Sequence, residues 1–175
     1  MGSFANFRQL DYLDLDDQFS EDERMVRDAV RAWVTVRFLP GAMEHFENGT
    51  FPMECVPELA ELGLFGVSLP VAHGGLGLGL GDAARIVAAL AEHDRSVATC
   101  VGLHAGLGTR GLVTLGSDAL RAQWLPSLAA GTCIGAFAAT EPGAGSNLAA
   151  VRTTATLDGD EVVLDGEKAF VTNGA

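Results

Sequence analysis

The hydrophobic pattern of this 175-residue chain changes its period near residue 134. Before that point apolar residues recur three and four positions apart, as in amphipathic helices, and after it short runs alternate as in strands. Asp158-Gly159 and Asp165-Gly166 separate the later runs, and Asp-Gly between alternating segments is a strong hairpin signal. The sequence therefore predicts an α+β chain. An all-α helical domain over 1–132 precedes the first strands of an antiparallel β domain over 133–175.

Capping signals place the first two helices. Ser20 and Glu23 have the spacing of a capping box, and the helix predicted over 20–38 ends where Pro40 interrupts the pattern. A shorter helix is predicted within 53–66. Its proline lies in the first turn, where proline is tolerated, and a glycine stands near its end.

Three more helices are predicted before residue 134. A glycine-rich loop over 74–81 leads into a helix from about Asp82 to His93. Residues 96–115 are apolar on nearly every face, which is typical of a helix buried all round in a larger assembly. Ser117 is the predicted cap of the last helix. The inward stripe of that helix is expected to consist of Leu120, Trp124 and Leu128.

The β part is predicted to begin with the apolar run 134–140 and to continue through 151–157, 161–165 and 168–172. Three or four strands bury little surface and leave an unpaired edge, which makes a poor isolated domain. We therefore expect the natural protein to continue past Ala175.

Charge and composition limit the classes of partner. The chain carries 23 acidic residues against 11 basic ones, a net charge of −12. Nucleic-acid binding depends on a basic surface, so we expect no nucleic-acid partner. The N-terminal segment lacks the pattern of a signal peptide, and no run approaches the roughly 18 apolar residues of a membrane span. The sequence predicts a cytoplasmic protein without a membrane span.

The cysteines and histidines indicate no metal site. Cys55, Cys100 and Cys133 are odd in number and lie among apolar neighbours, which favours buried free thiols over disulfides. The four histidines have no ligand spacing with one another or with the cysteines. Gly79 to Ala84 match the pattern G-x-G-x-x-A, but no strand precedes them and no acid follows at the required distance, so a capped helix start is favoured.

The segment Ala139–Asn147, "ATEPGAGSN", is the strongest local candidate for a binding site. Pro142 fixes the chain direction, and the two glycines after it permit positive φ and a close approach to the backbone. Successive backbone N–H groups in such a turn can bind an anion, and Ser146 adds a hydroxyl. On its residues alone the segment is either an ordinary tight loop or a cradle for a phosphate.

The sequence around this segment favours the phosphate-binding cradle over an ordinary loop. The stretch "AFAATEPGAGSN", followed about 20 residues later by "GEKAFVTNGA", resembles the middle-domain signature of the acyl-CoA dehydrogenase family. The stretches "SEDERMVRDAV", "ELAELGLFGVSLP" and "DALRAQWLPSLAAGT" are similar to the family's N-terminal helical domain, so the resemblance covers essentially the whole chain. The N-terminal segment "DDQFSEDERMVRDAVR" is similar to the glutaryl-CoA-type branch of the family.

The resemblance implies a flavoprotein with FAD as its cofactor. The residues expected at the cofactor are Phe137, Ala138, Ala139, Thr140, Gly145, Ser146, Phe170, Val171 and Thr172, with the Thr172 hydroxyl near the redox-active nitrogen of the flavin. The residues expected at the acyl-CoA substrate are Ser146, Cys100, Leu103 and Leu107. Phe170 stands where the family commonly has tryptophan, so it can cover a flavin face but lacks the indole N–H donor.

The implied reaction is α,β-dehydrogenation of an acyl-CoA thioester, with electron-transfer flavoprotein as the acceptor and a homo-oligomeric complete protein. In the family the base is a glutamate of the C-terminal helical domain, so no catalytic residue is assigned within this chain and the segment alone is expected to be inactive. Two alternatives remain open. One is a non-catalytic module that binds acyl-CoA or pairs with a full-length subunit; the other is an acyl-carrier-protein dehydrogenase or flavin oxidase on the same fold.

Overall fold

The structure, a computed structural model, describes residues 19–174. A block of helices precedes a single β-hairpin, which confirms the predicted α+β class. The helices are α1 (Glu21–Trp33), α2 (Leu39–Asn48), α3 (Val56–Glu61), α4 (Leu80–Ala91), α5 (Arg95–Leu103), α6 (Thr109–Leu115) and α7 (Asp118–Ala129). The strands are β1 (Thr154–Asp158) and β2 (Glu161–Asp165).

Helix α1 begins at the predicted capping box. The Glu23 N–H donates to the Ser20 hydroxyl at 3.2 Å, and the Ser20 N–H donates to the Glu23 carboxylate at 2.6 Å. Helix α7 begins at Ser117, whose hydroxyl accepts from the Leu120 N–H at 3.3 Å. Both predicted starts are confirmed, because each cap satisfies a backbone donor that the first turn of a helix leaves without a partner.

The prediction that Pro40 ends the first helix is wrong. A π-helical turn over Val34–Phe38 joins α1 to α2, and the helical path runs on to Asn48. The Leu39 N–H donates to the Val34 carbonyl and closes the wider turn. Pro40 then lies in the first turn of α2, where a missing N–H costs no helical hydrogen bond.

The prediction of a helix over 96–115 that is buried on nearly every face is wrong, because Ser96 and Thr99 are exposed in its first half and much of its second half is exposed as well. Helix α5 is followed by a π-helical turn over His104–Gly108 and then by α6. Val97, Ala98, Cys100 and Val101 are buried in α5. Leu107 and Leu115 are 55% and 87% exposed, because no element among residues 19–174 covers that side of the second half.

The predicted inward stripe of α7 is also wrong in part. Leu128 is buried as expected, but Leu120 and Trp124 are 46% and 44% exposed. The buried face instead carries Leu125, Leu128 and Ala129, which pack against Leu69 and, from α6, Leu112. Helical periodicity alone does not determine which face of α7 is buried; that depends on the residues against which the helix packs.

The main core lies between α1, α3, α4 and α5, with residues such as Val30, Leu59, Phe65 and Leu90 almost fully buried. The three cysteines are free, and Cys55 and Cys100 are buried as the sequence predicted, whereas Cys133 is only half-buried. Among residues 19–174 no helix is both long and apolar enough to cross a bilayer. Nor does that part of the chain hold a group of three His, Cys, Asp or Glu side chains suited to a metal ion.

The hairpin forms where the first Asp-Gly pair predicts it. Strands β1 and β2 pair antiparallel, with Thr154 opposite Asp165 and Asp158 opposite Glu161. Gly159, the first of the two loop residues, has a φ of +61°, as a tight two-residue turn requires. All ten strand residues are exposed within the described part of the chain.

The strands predicted over 134–140 and 168–172 do not form. The Gly135 N–H donates to a histidine ring, and the backbone of 134–140 meets 168–172 through a single hydrogen bond. Phe170 and Asn173 have φ values of +53° and +61°, which are incompatible with a pleated ladder.

Candidate functional site

The two separated parts of the predicted signature lie side by side. The Ala169 N–H donates to the Thr140 carbonyl at 2.9 Å. The Lys168 ammonium donates to the Glu141 carboxylate at 2.9 Å and to the Ala139 carbonyl at 3.3 Å. The segment 137–146 and the segment 168–172 therefore form one surface, joined by a backbone hydrogen bond and an ion pair.

Glu141 holds this junction together. Its side chain is only 7% exposed and accepts from the hydroxyl and N–H of Thr153, the N–H of Arg152 and the ammonium of Lys168, at 2.5 to 2.9 Å. These donors, the Thr153 hydroxyl first among them, lower the pKa of Glu141 from 4.5 to about 2. A carboxylate so strongly held in its charged form is a structural acceptor and a poor base.

The lowered pKa of Glu141 predicts a pH-dependent contribution to stability. Because the folded-state pKa lies below the unfolded value, the contribution is full above about pH 5 and is lost as the pH falls from about 4.5 towards 2. Urea unfolding of the wild type and Glu141→Gln from pH 7 to pH 3 should show a difference in stability that is constant at first and shrinks below about pH 4.5. A difference that stayed the same down to pH 3 would contradict this.

His104 anchors the start of the first segment. It is fully buried at the first position of the π-helical turn, and its Nδ1 accepts the Gly135 N–H at 2.9 Å. The ring packs edge-on against Phe65, with centroids 5.0 Å apart. Burial lowers the pKa of His104, although the backbone carbonyls of Leu128 and Phe65 offset part of the effect. The side chain is therefore a neutral acceptor whose proton resides on Nε2.

Two further contacts fix the surface to α5 and the π-helical turn. The backbones of Gly108 and Gly135 touch so closely that a Cβ added at Gly108 would lie 2.7 Å from the Gly135 carbonyl oxygen. The Asn173 amide donates to the Cys100 carbonyl at 3.0 Å and to the Gly135 carbonyl at 3.3 Å. Asn173 thus connects both segments to α5.

The first segment, residues 137–146, has backbone N–H groups and side-chain hydroxyls that form no hydrogen bond with the described protein atoms. Phe137 is 51% exposed, Ala138 is exposed beside it, and Ala139 is half-buried. Within residues 19–174, the N–H groups of 137–140 donate to no protein atom, and neither the Thr140 nor the Ser146 hydroxyl has a partner. A mutual pair of 3.0 Å hydrogen bonds between Glu141 and Ala144 closes the turn that precedes Gly145.

The second segment presents an aromatic ring and a hydroxyl. Phe170 is 95% exposed at a positive φ, a conformation that is strained for an aromatic residue. Val171 and Thr172 are half-buried, and the Thr172 hydroxyl has no partner among residues 19–174.

A groove of about 550 Å³ runs from this segment to α5. Val171 and Thr172 line one side and Cys100 lines the other, so the structure brings one predicted substrate residue close to two predicted cofactor residues. Leu103 lines a neighbouring depression that shares Arg95 and Thr99 with the groove. Leu107 lies on the exposed side of the π-helical turn, away from both.

These residues fit the chemistry of a flavin nucleotide. A backbone with unpaired N–H groups, free hydroxyls at Thr140 and Thr172, and an exposed aromatic ring match a flat, polar heteroaromatic ring system. Gly143 and Gly145 each leave open space where a Cβ would stand, which permits a pyrophosphate to approach the backbone.

Comparison with known proteins identifies the family. Residues 20–132 match the model of the acyl-CoA dehydrogenase N-terminal domain, and residues 136–175 match that of the acyl-CoA dehydrogenase middle domain. The chain belongs to the acyl-CoA dehydrogenase family. The resemblance read from the paired signature is thereby confirmed.

Individual members of the family agree with this assignment. The (2S)-methylsuccinyl-CoA dehydrogenase of Cereibacter sphaeroides is 38% identical over 162 residues, which are 89% of this chain and 28% of that protein. A glutaryl-CoA dehydrogenase of Mycobacterium smegmatis solved in complex with FADH2 superposes with a TM-score of 0.87 at 35% identity, over 92% of this chain and 42% of that one. A structure from work on the electron transferring flavoprotein of Acidaminococcus fermentans superposes with a TM-score of 0.85 at 29% identity, over 89% and 41% of the two chains. The chain thus spans less than half the length of each of these three proteins.

Sequence reasoning missed three residues that support the site: His104, Lys168 and Asn173. Lys168 lies inside the second part of the signature, opposite in charge to Glu141 in the first, and that complementarity was a usable signal. His104 was visible as a polar residue in an apolar helix. No sequence signal indicates that Asn173 reaches the carbonyl of Cys100, because the two residues are 73 positions apart.

Proposed function

We propose that this chain forms the N-terminal helical domain, residues 1–132, and the beginning of the middle β domain, residues 133–175, of an FAD-dependent acyl-CoA dehydrogenase. The observation that carries the proposal is the junction between Thr140–Glu141 and Lys168–Ala169. It holds the two parts of the family signature as one surface. The matches to the N-terminal and middle family models support the same division of the chain.

The cofactor residues are proposed in two groups on that surface. The backbone of Phe137, Ala138 and Ala139 and the hydroxyl of Thr140 contact the flavin ring along one edge, and Phe170, Val171 and Thr172 contact it from the second segment. Gly145 and Ser146 lie at the pyrophosphate. FAD, when bound, supplies a hydride acceptor. The protein positions the ring with donors that have no competing protein partner.

The substrate is proposed to be an acyl-CoA thioester whose acyl chain enters the groove beside Cys100, with Ser146 near the thioester end and Leu103 in the neighbouring depression. Leu107, on the exposed side of the π-helical turn, does not belong to that wall. The α-carbon loses a proton to a base and the β-carbon loses a hydride, which leaves a carbon–carbon double bond. None of the described residues lining the groove is an aspartate or glutamate. Glu141 is fully engaged, so we assign the base to a glutamate outside residues 1–175.

Two partners follow from the same proposal. The reduced protein passes its electrons to an electron-transfer flavoprotein, and the complete protein is a homo-oligomer. The relationship to the structure associated with an electron transferring flavoprotein supports the first of these.

The test uses protein expressed from the complete reading frame. Purified protein should carry bound flavin, and anaerobic addition of straight-chain acyl-CoA thioesters should bleach the flavin absorbance and yield one enoyl-CoA per flavin reduced. A flavin-free protein that still binds the thioesters would support the non-catalytic binding module instead. Bleaching followed by rapid reoxidation in air would favour a flavin oxidase.

A further inference from the structure

Residues 170–172 of the second segment have little of their own to hold their conformation. Within residues 19–174 their backbone N–H groups donate to no protein atom, and the Thr172 hydroxyl has no partner. Phe170 is 95% exposed and has a φ of +53°, which is unfavourable for an aromatic residue. A strained conformation of this kind persists only where the surrounding structure imposes it.

Asn173 provides such a constraint directly after these residues. Its side-chain amide donates to the Cys100 carbonyl at 3.0 Å and to the Gly135 carbonyl at 3.3 Å. Asn173 itself has a φ of +61°, which asparagine tolerates better than most residues do. Two neutral hydrogen bonds stabilise by about as much as one non-glycine residue at positive φ destabilises. The amide is therefore sufficient to offset the strain at Phe170.

Both acceptors of the amide belong to backbone that is itself held in place. Cys100 is 4% exposed in α5, and its carbonyl also accepts the His104 N–H where the helix widens into the π-helical turn. A carbonyl oxygen has two lone pairs, so it can accept the Asn173 amide as well. Gly135 donates its N–H to the His104 ring at 2.9 Å and touches the backbone of Gly108. The Asn173 amide thus attaches the second segment to well-packed backbone.

The other end of the stretch is attached independently. The Ala169 N–H donates to the Thr140 carbonyl at 2.9 Å, directly before Phe170. The exposed ring of Phe170 and the unpaired hydroxyl of Thr172 therefore lie between two fixed points. The attachment at Ala169 joins the two cofactor segments to each other, whereas the attachment at Asn173 joins them to the helical domain.

We propose that Asn173 is a positioning residue for FAD, whose side-chain amide holds residues 170–172 in the conformation that binds the cofactor. This rests on the proposed function and deepens it, because it names the residue that orders one side of the site in advance. Without the two hydrogen bonds, residues 170–172 sample ordinary negative-φ conformations, and FAD binding then has to order them. Asn173 acts through its neighbours and needs no contact of its own with the cofactor.

The experiment compares dissociation constants for FAD, measured by calorimetry on apoprotein from the complete reading frame. The variants are Asn173→Gly, which removes the amide and keeps the freedom to adopt positive φ, and Asn173→Ala, which removes both. Asn48→Ala is the matched control. Asn48 is exposed at the end of α2, and its side chain has no hydrogen bond within residues 19–174.

Asn173→Gly should weaken FAD binding by about 10- to 100-fold, the range that corresponds to two neutral hydrogen bonds. Asn173→Ala should weaken it further, by up to about another tenfold, because alanine disfavours positive φ. Asn48→Ala should change the dissociation constant by less than about twofold. An Asn173→Gly variant with the dissociation constant of the wild type would overturn the proposal.

Two further readouts separate positioning from a general loss of folding. In the apoprotein, hydrogen exchange at the Ala169 and Gly174 amides should be faster in Asn173→Gly than in the wild type, while exchange in α4 stays the same. At saturating FAD, the visible circular dichroism of the bound flavin should change in Asn173→Gly and not in Asn48→Ala. Faster exchange throughout the helical domain with an unchanged flavin spectrum would assign Asn173 to folding and overturn the positioning role.

The outcomes also separate this proposal from the proposed function. Wild-type protein without affinity for FAD would contradict both. Unchanged affinity in Asn173→Gly, with flavin that acyl-CoA thioesters still reduce, would overturn only the role of Asn173. Conversely, weakened FAD binding in Asn173→Gly, with wild-type flavin that no acyl-CoA thioester reduces, would support the positioning role and contradict the dehydrogenase activity.

Discussion

Replacing Phe65 with alanine should lower the free energy of unfolding by about 3 to 5 kcal/mol, the usual cost of removing a buried aromatic ring. Phe65 is 0% exposed, and its ring fills the space beside Gly131, where an added Cβ would lie 2.6 Å away. The ring also packs edge-on against His104, the residue that accepts the Gly135 N–H. Removing the Phe65 ring therefore leaves a cavity directly behind His104, the residue that anchors the candidate site.

The matched control is Phe46→Ala. Phe46 lies on α2 and is 83% exposed, so its loss should change the free energy of unfolding by less than about 0.5 kcal/mol. Urea unfolding followed by circular dichroism measures both variants. Phe65→Leu keeps most of the volume and should cost clearly less than Phe65→Ala. Equal effects of Phe46→Ala and Phe65→Ala would contradict the packing described here.

The second large effect is expected at the backbone contact between Gly108 and Gly135. Gly108 has an ordinary helical φ of −66°, so a side chain there is opposed by contact alone and not by backbone strain. Because an added Cβ would lie 2.7 Å from the Gly135 carbonyl oxygen, Gly108→Ala must push the segment 134–140 away from the π-helical turn. The variant should lose about 1 to 3 kcal/mol of stability.

The same π-helical turn provides the control. Gly106 has nothing within 4 Å of an added Cβ, so Gly106→Ala should leave stability unchanged or raise it by up to about 1 kcal/mol. Flavin affinity in protein from the complete reading frame should fall for Gly108→Ala and remain unchanged for Gly106→Ala. If Gly108→Ala and Gly106→Ala had the same stability and the same flavin affinity, the contact between Gly108 and Gly135 would not be what positions the segment 134–140.

Local sequence signals predicted the elements that depend on local chemistry. The capping box at Ser20, the cap at Ser117, the proline in the first turn of α3 and the hairpin after Asp158 follow from groups a few residues apart, and the structure has all of them. The same reasoning failed at Pro40, because a π-helical turn placed the proline in a first turn that the 3.6-residue pattern did not reveal.

The site itself could be predicted in part. The paired signature singled out two segments, and in the structure the hydrogen bond from Ala169 to Thr140 joins them. That these segments hold the cofactor stays a prediction. The sequence pattern could not predict which residues hold these two segments in place. The contacts of His104 with Gly135 and of Asn173 with Cys100 join residues 31 and 73 positions apart, and such contacts depend on how the helices pack.

The central claim is that the segment 137–146 and the segment 170–172 hold one FAD between them. The most direct measurement is an experimental structure of protein from the complete reading frame with FAD bound. We expect the flavin ring to contact the Phe137–Thr140 backbone on one side and Phe170 and Thr172 on the other, with the pyrophosphate at Gly145 and Ser146. A flavin bound elsewhere, or one that contacts only one of the two segments, would contradict the account.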